Sequence, residues 1–524
     1  MLFLLAIVLI FSSLYLIMFS SCGPNNLVLA PIVGGVGASN SQLPLFSVGT
    51  YKMITTNSIA NPEVSFGYFN YTNKPFAFIN LNPINNSLIF INIGSSQFAN
   101  QGNKVLVLGT AFAAGDNTAG NDRDIFWVGK ILNPTNQSDW VSTINVRGNN
   151  YIVIKGTNFI ARFNYNFSSF NSTFDTMTVK KVDNNNDYNL SDFQNIDQDF
   201  KSISFIKGGT SNITGYYGVL VGRNSAFSCV DTDSSGNNFR NLYGLSNAPT
   251  SNDYVWEDVI PFSKDYQNGL LIGHKISEDP GSAVFRSFNN SAWSSDINGI
   301  SPFVDPFYSA DYITLLSDNS RIKVAFIVGR NSLIGYINTP PNQNQFDFNK
   351  LEAVDLSNIS NDVTFYGVTV LRDINDINYN VSGIAVGYDF NNNSPIIVKF
   401  QRTNNPPNPN PNYPINPNYN LQRVDISNLN LGSDVVLLDV NNVLINNTNY
   451  VYIVGVDLSN CPIKPYPNGS LPPFTKSLVF PASPPFTTTT TDVINTLSNM
   501  RGILLYSNNG GDTFTLLGNP LINP

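Results

Sequence analysis

Four glutamates, Glu63, Glu257, Glu278 and Glu352, are the whole supply in a chain of 524 residues. Hydrolysis of a glycosidic bond needs a carboxylate beside a second carboxylate or a tyrosine, and arginines if the substrate is itself an acid. Tyrosine is plentiful, at 24 residues. Arg223 and Arg330 stand at the same position in two copies of one motif, so in a repeat protein they would point alike. That chemistry would require Glu257 or Glu278 to meet a tyrosine and an arginine at one place. His274 is the only histidine, which excludes metal sites and triads built on histidine pairs. It directly follows Gly273, at a strand end, where a structural or exposed role is expected. Calcium is the better-supported cation. Asp231, Asp233 and Ser235, and separately Asp183, Asn185 and Asp187, place oxygen ligands at alternate positions, as a hard cation requires. Neither run has the bidentate glutamate further on; Leu242 and Gln194 stand there.

The elements that would position these residues come from a repeat. Gly218-Val-Leu-Val-Gly-Arg-Asn-Ser-Ala-Phe227 returns as Ala325-Phe-Ile-Val-Gly-Arg-Asn-Ser-Leu-Ile334. Looser copies end in Gly109, Gly156, Gly222, Gly273, Gly329, Gly387 and Gly455, at intervals of roughly 47 to 68 residues. The runs before glycine, such as Tyr151-Ile-Val-Ile154 and Tyr452-Ile-Val454, are short, β-branched and aromatic, and read as buried strands. A strand precedes most of them and another follows. A later aromatic (Trp140, Phe174, Trp293, Phe514) marks a fourth. Four strands per unit predict an all-β fold, a β-propeller of about seven four-stranded blades, or eight if residues 23–100 add one. The rival is a stack of β-sandwiches, which has no repeat of this length. One blade cannot bury both its faces alone, and a ring of blades can.

Ser507-Asn-Asn-Gly-Gly-Asp-Thr-Phe514 resembles the Asp-box of BNR-repeat β-propellers, the superfamily of sialidases and sortilin-like receptors. Ser507, Gly511 and Thr513 match its pattern, Asn509 stands for the Asp and Phe514 for the Trp. The resemblance implies a propeller and a structural turn, in which a polar side chain satisfies turn amides and the aromatic packs inside the blade. It implies little about activity, because that fold carries many functions.

Charged residues make up 12% of the chain and the formal net charge is −8, which argues against a basic nucleic-acid face. Residues 1–22 are an apolar export segment: a transmembrane anchor, a cleaved signal, or a lipoprotein signal with the lipid on Cys22. Residues 23–524 are expected to form a single propeller domain. Two insertions, 403–420 and 461–497, are rich in proline with asparagine or threonine and read as long loops leaving one face. Cys229 and Cys461 lie in distant units and read as buried thiols rather than a bridge. Asn70, Asn136, Asn171, Asn212, Asn380 and Asn446 begin Asn-x-Ser/Thr sequons, open to glycosylation.

Together these features predict an exported, membrane-anchored propeller with no catalytic residues and no cofactor unless calcium. It would act as an adhesion or structural module of a cell or virion surface, with a protein or glycan ligand at one face. The alternatives are a glycan-acting hydrolase of sialidase-like type and an assembly factor for a membrane complex.

Overall fold

A computed structural model describes residues 137–155, 253–261, 268–277, 305–317, 320–338, 351–371, 381–402, 419–445 and 448–516, together with the further strands given below. The export segment, the calcium-type residues Asp231, Asp233, Ser235, Asp183 and Asn185, and the sequons at Asn70, Asn136, Asn212, Asn380 and Asn446 lie outside the described residues. So do Cys22, Glu63, Glu278 and residues 403–414. Asp187 falls in the strand Asn186–Tyr188, opposite Lys180, and Asn171 opens the strand Asn171–Thr176. Among the described residues no group of His, Cys, Asp and Glu could hold a metal, and no helix is long and apolar enough to cross a membrane.

Antiparallel meanders follow one another along the chain. The first comprises Leu106–Gly115, Asp122–Leu132, Thr157–Asn166 and Asn171–Thr176, with Val48–Thr55 lying parallel to its first strand. The second runs Asp199–Lys207, Tyr216–Arg223, Ser225–Val230 and Asn241–Gly244. The third begins Tyr254–Pro261, Asn268–Lys275 and Ala283–Asn289; the single pair Arg223–Val255 joins it to the second. The fourth is Phe307–Ser317, Ser320–Gly329, Ser332–Asn338 and Leu351–Val354. The fifth is Val363–Leu371, Ser382–Asp389, Ser394–Arg402 and Tyr419–Arg423. The sixth is Val435–Ile445, Thr448–Asp457, Arg501–Ser507 and Thr515–Leu516. Each first strand from the second meander on packs against the next, and Val48–Thr55 touches both Asp199–Lys207 and Val435–Ile445. The circuit therefore closes, and the arrangement is propeller-like.

The repeated glycines Gly109, Gly222, Gly273, Gly329, Gly387 and Gly455 all sit in second strands, except that Gly109 is in the first strand of its meander. The unit expected to end at Gly156 is not a meander of its own. Its run, Tyr151–Ile154, instead belongs to a hairpin, Val141–Val146 with Asn149–Ile154, that leaves the first meander between its second and third strands.

Residues 458–500 correct the expectation of a loop. They leave the sixth meander, also between its second and third strands, and fold onto that hairpin: Val479–Pro481 pairs with Tyr151–Val153. The helix Thr490–Asn499 packs on Val141–Val146. Threonine-rich sequence forms this helix because Thr489 and Asp492 make a capping box, each side chain accepting from the other's backbone N–H. Trp140, Ile152, Ile154, Phe474, Phe480, Val493, Leu497 and Met500 form the core of this cap, and Tyr308, Tyr366 and Leu438 of the ring are buried in the same cluster. Cys461 is buried in it, its thiol donating to the Thr496 carbonyl oxygen at 3.5 Å.

Candidate functional site

Every second-to-sixth first strand carries a β-bulge opposite its repeated glycine. The register shifts between Phe200 and Ser202, Trp256 and Asp258, Phe307 and Ser309, Phe365 and Gly367, and Leu437 and Asp439. The extra residues are Lys201, Glu257, Tyr308, Tyr366 and Leu438. At the bulges facing Gly273, Gly329, Gly387 and Gly455 a carbonyl near the start of the first strand stands against the glycine, which explains why no side chain fits there. A Cβ on Gly273 would stand 2.0 Å from the Val255 carbonyl oxygen, on Gly329 1.9 Å from that of Pro306, and on Gly387 1.8 Å from that of Thr364. The motif first read as a strand ending is therefore a device that re-aims one side chain per sheet.

Those side chains gather at one end of the ring. The rings of Tyr308 and Tyr366 lie 5.0 Å apart, and that of His274 lies 5.5 Å from Tyr308. Ser477, from the cap, donates its hydroxyl to Glu257 Oε1 and lies 3.3 Å from His274 Nε2. His274 Nδ1 is 3.8 Å from the same carboxylate oxygen. Lys201 Nζ donates to the Ser477 carbonyl oxygen at 2.8 Å. The residues after the glycines form a second row: Arg223, His274, Arg330, Tyr388 and the apolar Val456. Of these, Arg223, His274, Tyr388 and Val456 are buried.

Burial governs the protonation states. It drops the His274 pKa to about 4, helped by the positive charge of Lys201, so the imidazole is neutral near pH 7. It holds the Tyr308 phenol well above its usual range, with Tyr366 and the Glu257 carboxylate acting the same way and Arg330 opposing. Asp305 is pushed up by burial against the pull of Arg330. Arg330 makes an ion pair with Asp362 at 3.7 Å.

Other carboxylates are structural. Asp258 accepts from the amides of Val259 (2.9 Å) and Ala310 (3.0 Å), tying the third meander to the fourth. Asp311 accepts from Val370 N and Thr369 Oγ1, tying the fourth to the fifth. Glu352 is held by Arg402 through two 3.0 Å bonds and by the Tyr419 hydroxyl at 2.7 Å.

Of the sequence-derived candidates, Glu257 and Arg330 both lie in electrostatic reach of one tyrosine, Tyr308. His274 belongs beside them, buried rather than exposed. Lys201, Tyr308, Tyr366 and Ser477 were not singled out. A register shift cannot be read from residue types, although the position after each repeated glycine could have led to His274. The turn Ser507–Phe514 lies elsewhere. Asn509 Oδ1 accepts from Thr513 N (3.1 Å) and the Ser507 hydroxyl, Ser507 Oγ accepts from Gly511 N (2.9 Å), and Phe514 is buried in the sixth meander's core.

No family model and no curated protein matches the chain. Solved structures do. One is NanB plus Optactamide, at 9% identity and TM-score 0.39, covering 68% of this chain and 69% of that one. Another is a β-fructofuranosidase from Schwanniomyces occidentalis with fructosyl-erythritol, at 10% identity and TM-score 0.28, covering 74% and 82%. A third is an exo-inulinase from Aspergillus awamori, at 10% identity and TM-score 0.30, covering 91% and 93%. The expectation of a non-enzymatic adhesion or structural module is corrected by these matches, which include a β-fructofuranosidase and an exo-inulinase. What the residue types could not reveal is the pair of register shifts that re-aim Glu257 and Tyr308.

Proposed function

We propose that the chain is a glycan-acting hydrolase of sialidase-like type, on a propeller of six four-stranded blades, with Glu257 and Tyr308 at the reacting centre. The observation that carries this reading is the convergence of the bulge residues: a buried carboxylate and a buried phenol from neighbouring first strands, with Arg330 in reach of the phenol. In this reading the phenol oxygen attacks the anomeric carbon and Glu257 takes the phenolic proton. The glycosidic bond breaks as the departing oxygen takes a proton from Asp305, whose carboxyl holds it to higher pH than usual. Water then cleaves the glycosyl–tyrosine bond, giving a proton to Asp305 while Glu257 returns its proton to the departing phenolate. Arg330 offsets the charge that grows on the phenol. Export through residues 1–22, with attachment to a membrane, is part of the same proposal and is read from their apolar run alone.

The experiment is turnover of 4-methylumbelliferyl glycosides, sialoside and fructoside first, by the full chain and its Glu257→Gln and Tyr308→Phe variants. Each substitution is expected to lower turnover by about 100-fold or more. Turnover unchanged in both variants, or no turnover of any glycoside by the wild type, sinks the reading.

A further inference from the structure

We infer that the segment Pro472–Leu478 is an autoinhibitory strap: it fills the site around Glu257 with its own hydroxyl and carbonyl groups and must lift before a glycan enters. The inference deepens the hydrolase reading and rests on it for what the strap excludes.

The strap's bonds run to the bulge residues themselves. The Tyr366 hydroxyl donates to the Phe474 carbonyl oxygen at 3.1 Å. Lys201 donates to the Ser477 carbonyl oxygen, and the Ser477 hydroxyl donates to Glu257. Lys476 donates to the Tyr366 carbonyl oxygen at 3.0 Å and lies 3.8 Å from Asp439. An alcohol on a carboxylate, with carbonyl oxygens on an ammonium and a phenol, is the set of contacts a sugar ring would make there. Glu257 and Ser477 are 4% and 2% exposed, so nothing reaches the carboxylate while the strap is seated.

Three features mark the strap as the part that gives way. Leu478, next to Ser477, is held at φ +55°, a conformation disfavoured for a branched side chain. The Thr475 hydroxyl is buried without a hydrogen-bond partner. Between Pro472 and Leu478 the backbone belongs to no strand pair; its amide bonds are Phe474 N to Lys464 O and Leu478 N to Thr475 O. Segments with few ladder bonds open at less than the global free energy.

The test uses the full chain with Glu257→Cys and a small methanethiosulfonate reagent, read residue by residue by mass spectrometry. Cys461, buried in the same cap, is the internal control. The introduced thiol is expected to react slowly, yet at least about 10-fold faster than Cys461, and adding Lys476→Ala is expected to speed it about 10-fold further with Cys461 unchanged. Equal rates at the two thiols would mean the cap leaves only on unfolding. Reaction as fast as an unfolded thiol would mean the site is not covered. Either result overturns the inference. Should Glu257→Cys fail to fold, hydrogen exchange of the wild type decides: the Phe474–Leu478 amides are expected to exchange about 100-fold faster than those of Val363–Leu371. Exchange of both at one rate rejects the strap. Neither readout depends on turnover, so failure of the strap and failure of the hydrolase reading are distinguishable.

Discussion

The fourth to sixth meanders and the cap bury apolar side chains equally well but are built by different rules. In the meanders each strand repeats the role of its counterpart one sheet earlier. Val363–Leu371 is buried along its whole length, because it packs between the fourth meander and the sixth. In the cap nothing repeats. Two insertions from the first and sixth meanders meet over the ring's mouth and share one core, with a single helix and a three-stranded sheet. In the proposed reading the repeated part supplies the reacting groups, and the unrepeated part decides whether they are reachable.

Substitutions sharpen that contrast. The largest effect belongs to the inter-sheet ion pair. Arg402→Met leaves the Glu352 charge buried without its cation, with only the Tyr419 hydroxyl as partner, and is expected to lower global stability by about 3–5 kcal/mol in denaturant titration. Phe480→Ala should instead open the cap alone, raising hydrogen exchange across 472–500 while Val363–Leu371 stays protected. If both variants unfold in one transition, the two regions are not separate units.

Acid comes next. The folded pKa of His274 is about 4, below the ordinary 6.5 of the unfolded chain. The unfolded state therefore binds the proton first as pH falls. The contribution is fully present above pH 6.5 and is lost as pH drops from 6.5 to 4, on the order of 3 kcal/mol in all. His274→Gln is expected to flatten that part of the stability profile; an unchanged slope contradicts the assignment.

Gly387→Ala drives a Cβ against the Thr364 carbonyl and should destabilise the fifth meander by about 3 kcal/mol, while Gly432→Ala meets nothing within 4 Å and should be near neutral. Similar melting temperatures for the two would remove the bulge explanation of the repeat. The smallest effect is Thr489→Ala, about 1 kcal/mol through loss of the helix cap, read as faster exchange in the cap.

The meanders were legible because their signal is local: β-branched runs closed by glycine recur at a near-constant interval. The all-β class, the four-stranded units and the strands around Val219, Ile384 and Tyr452 follow from that signal. The run before Gly156 is not part of a meander, because Tyr151–Ile154 has the same composition as a sheet strand but finds its partners in Val141–Val146 and Val479–Pro481. Residues 461–497 read as loop because proline and threonine disfavour regular structure, yet their scattered Phe474, Phe480, Val493 and Leu497 make a core with no period to detect. At the site, Glu257 and the arginine positions could be nominated from scarcity and repetition. Tyr308 and Tyr366 could not, since only a one-residue bulge turns them toward the cluster.

The central claim is that Tyr308 and Glu257 form a reacting pair. The most direct measurement is incubation of the full chain with a fluorinated glycosyl fluoride that traps a glycosyl–enzyme bond, followed by mass spectrometry of the peptides. The account predicts one adduct, on Tyr308, absent from Glu257→Gln. No adduct, or an adduct on another residue, would contradict it.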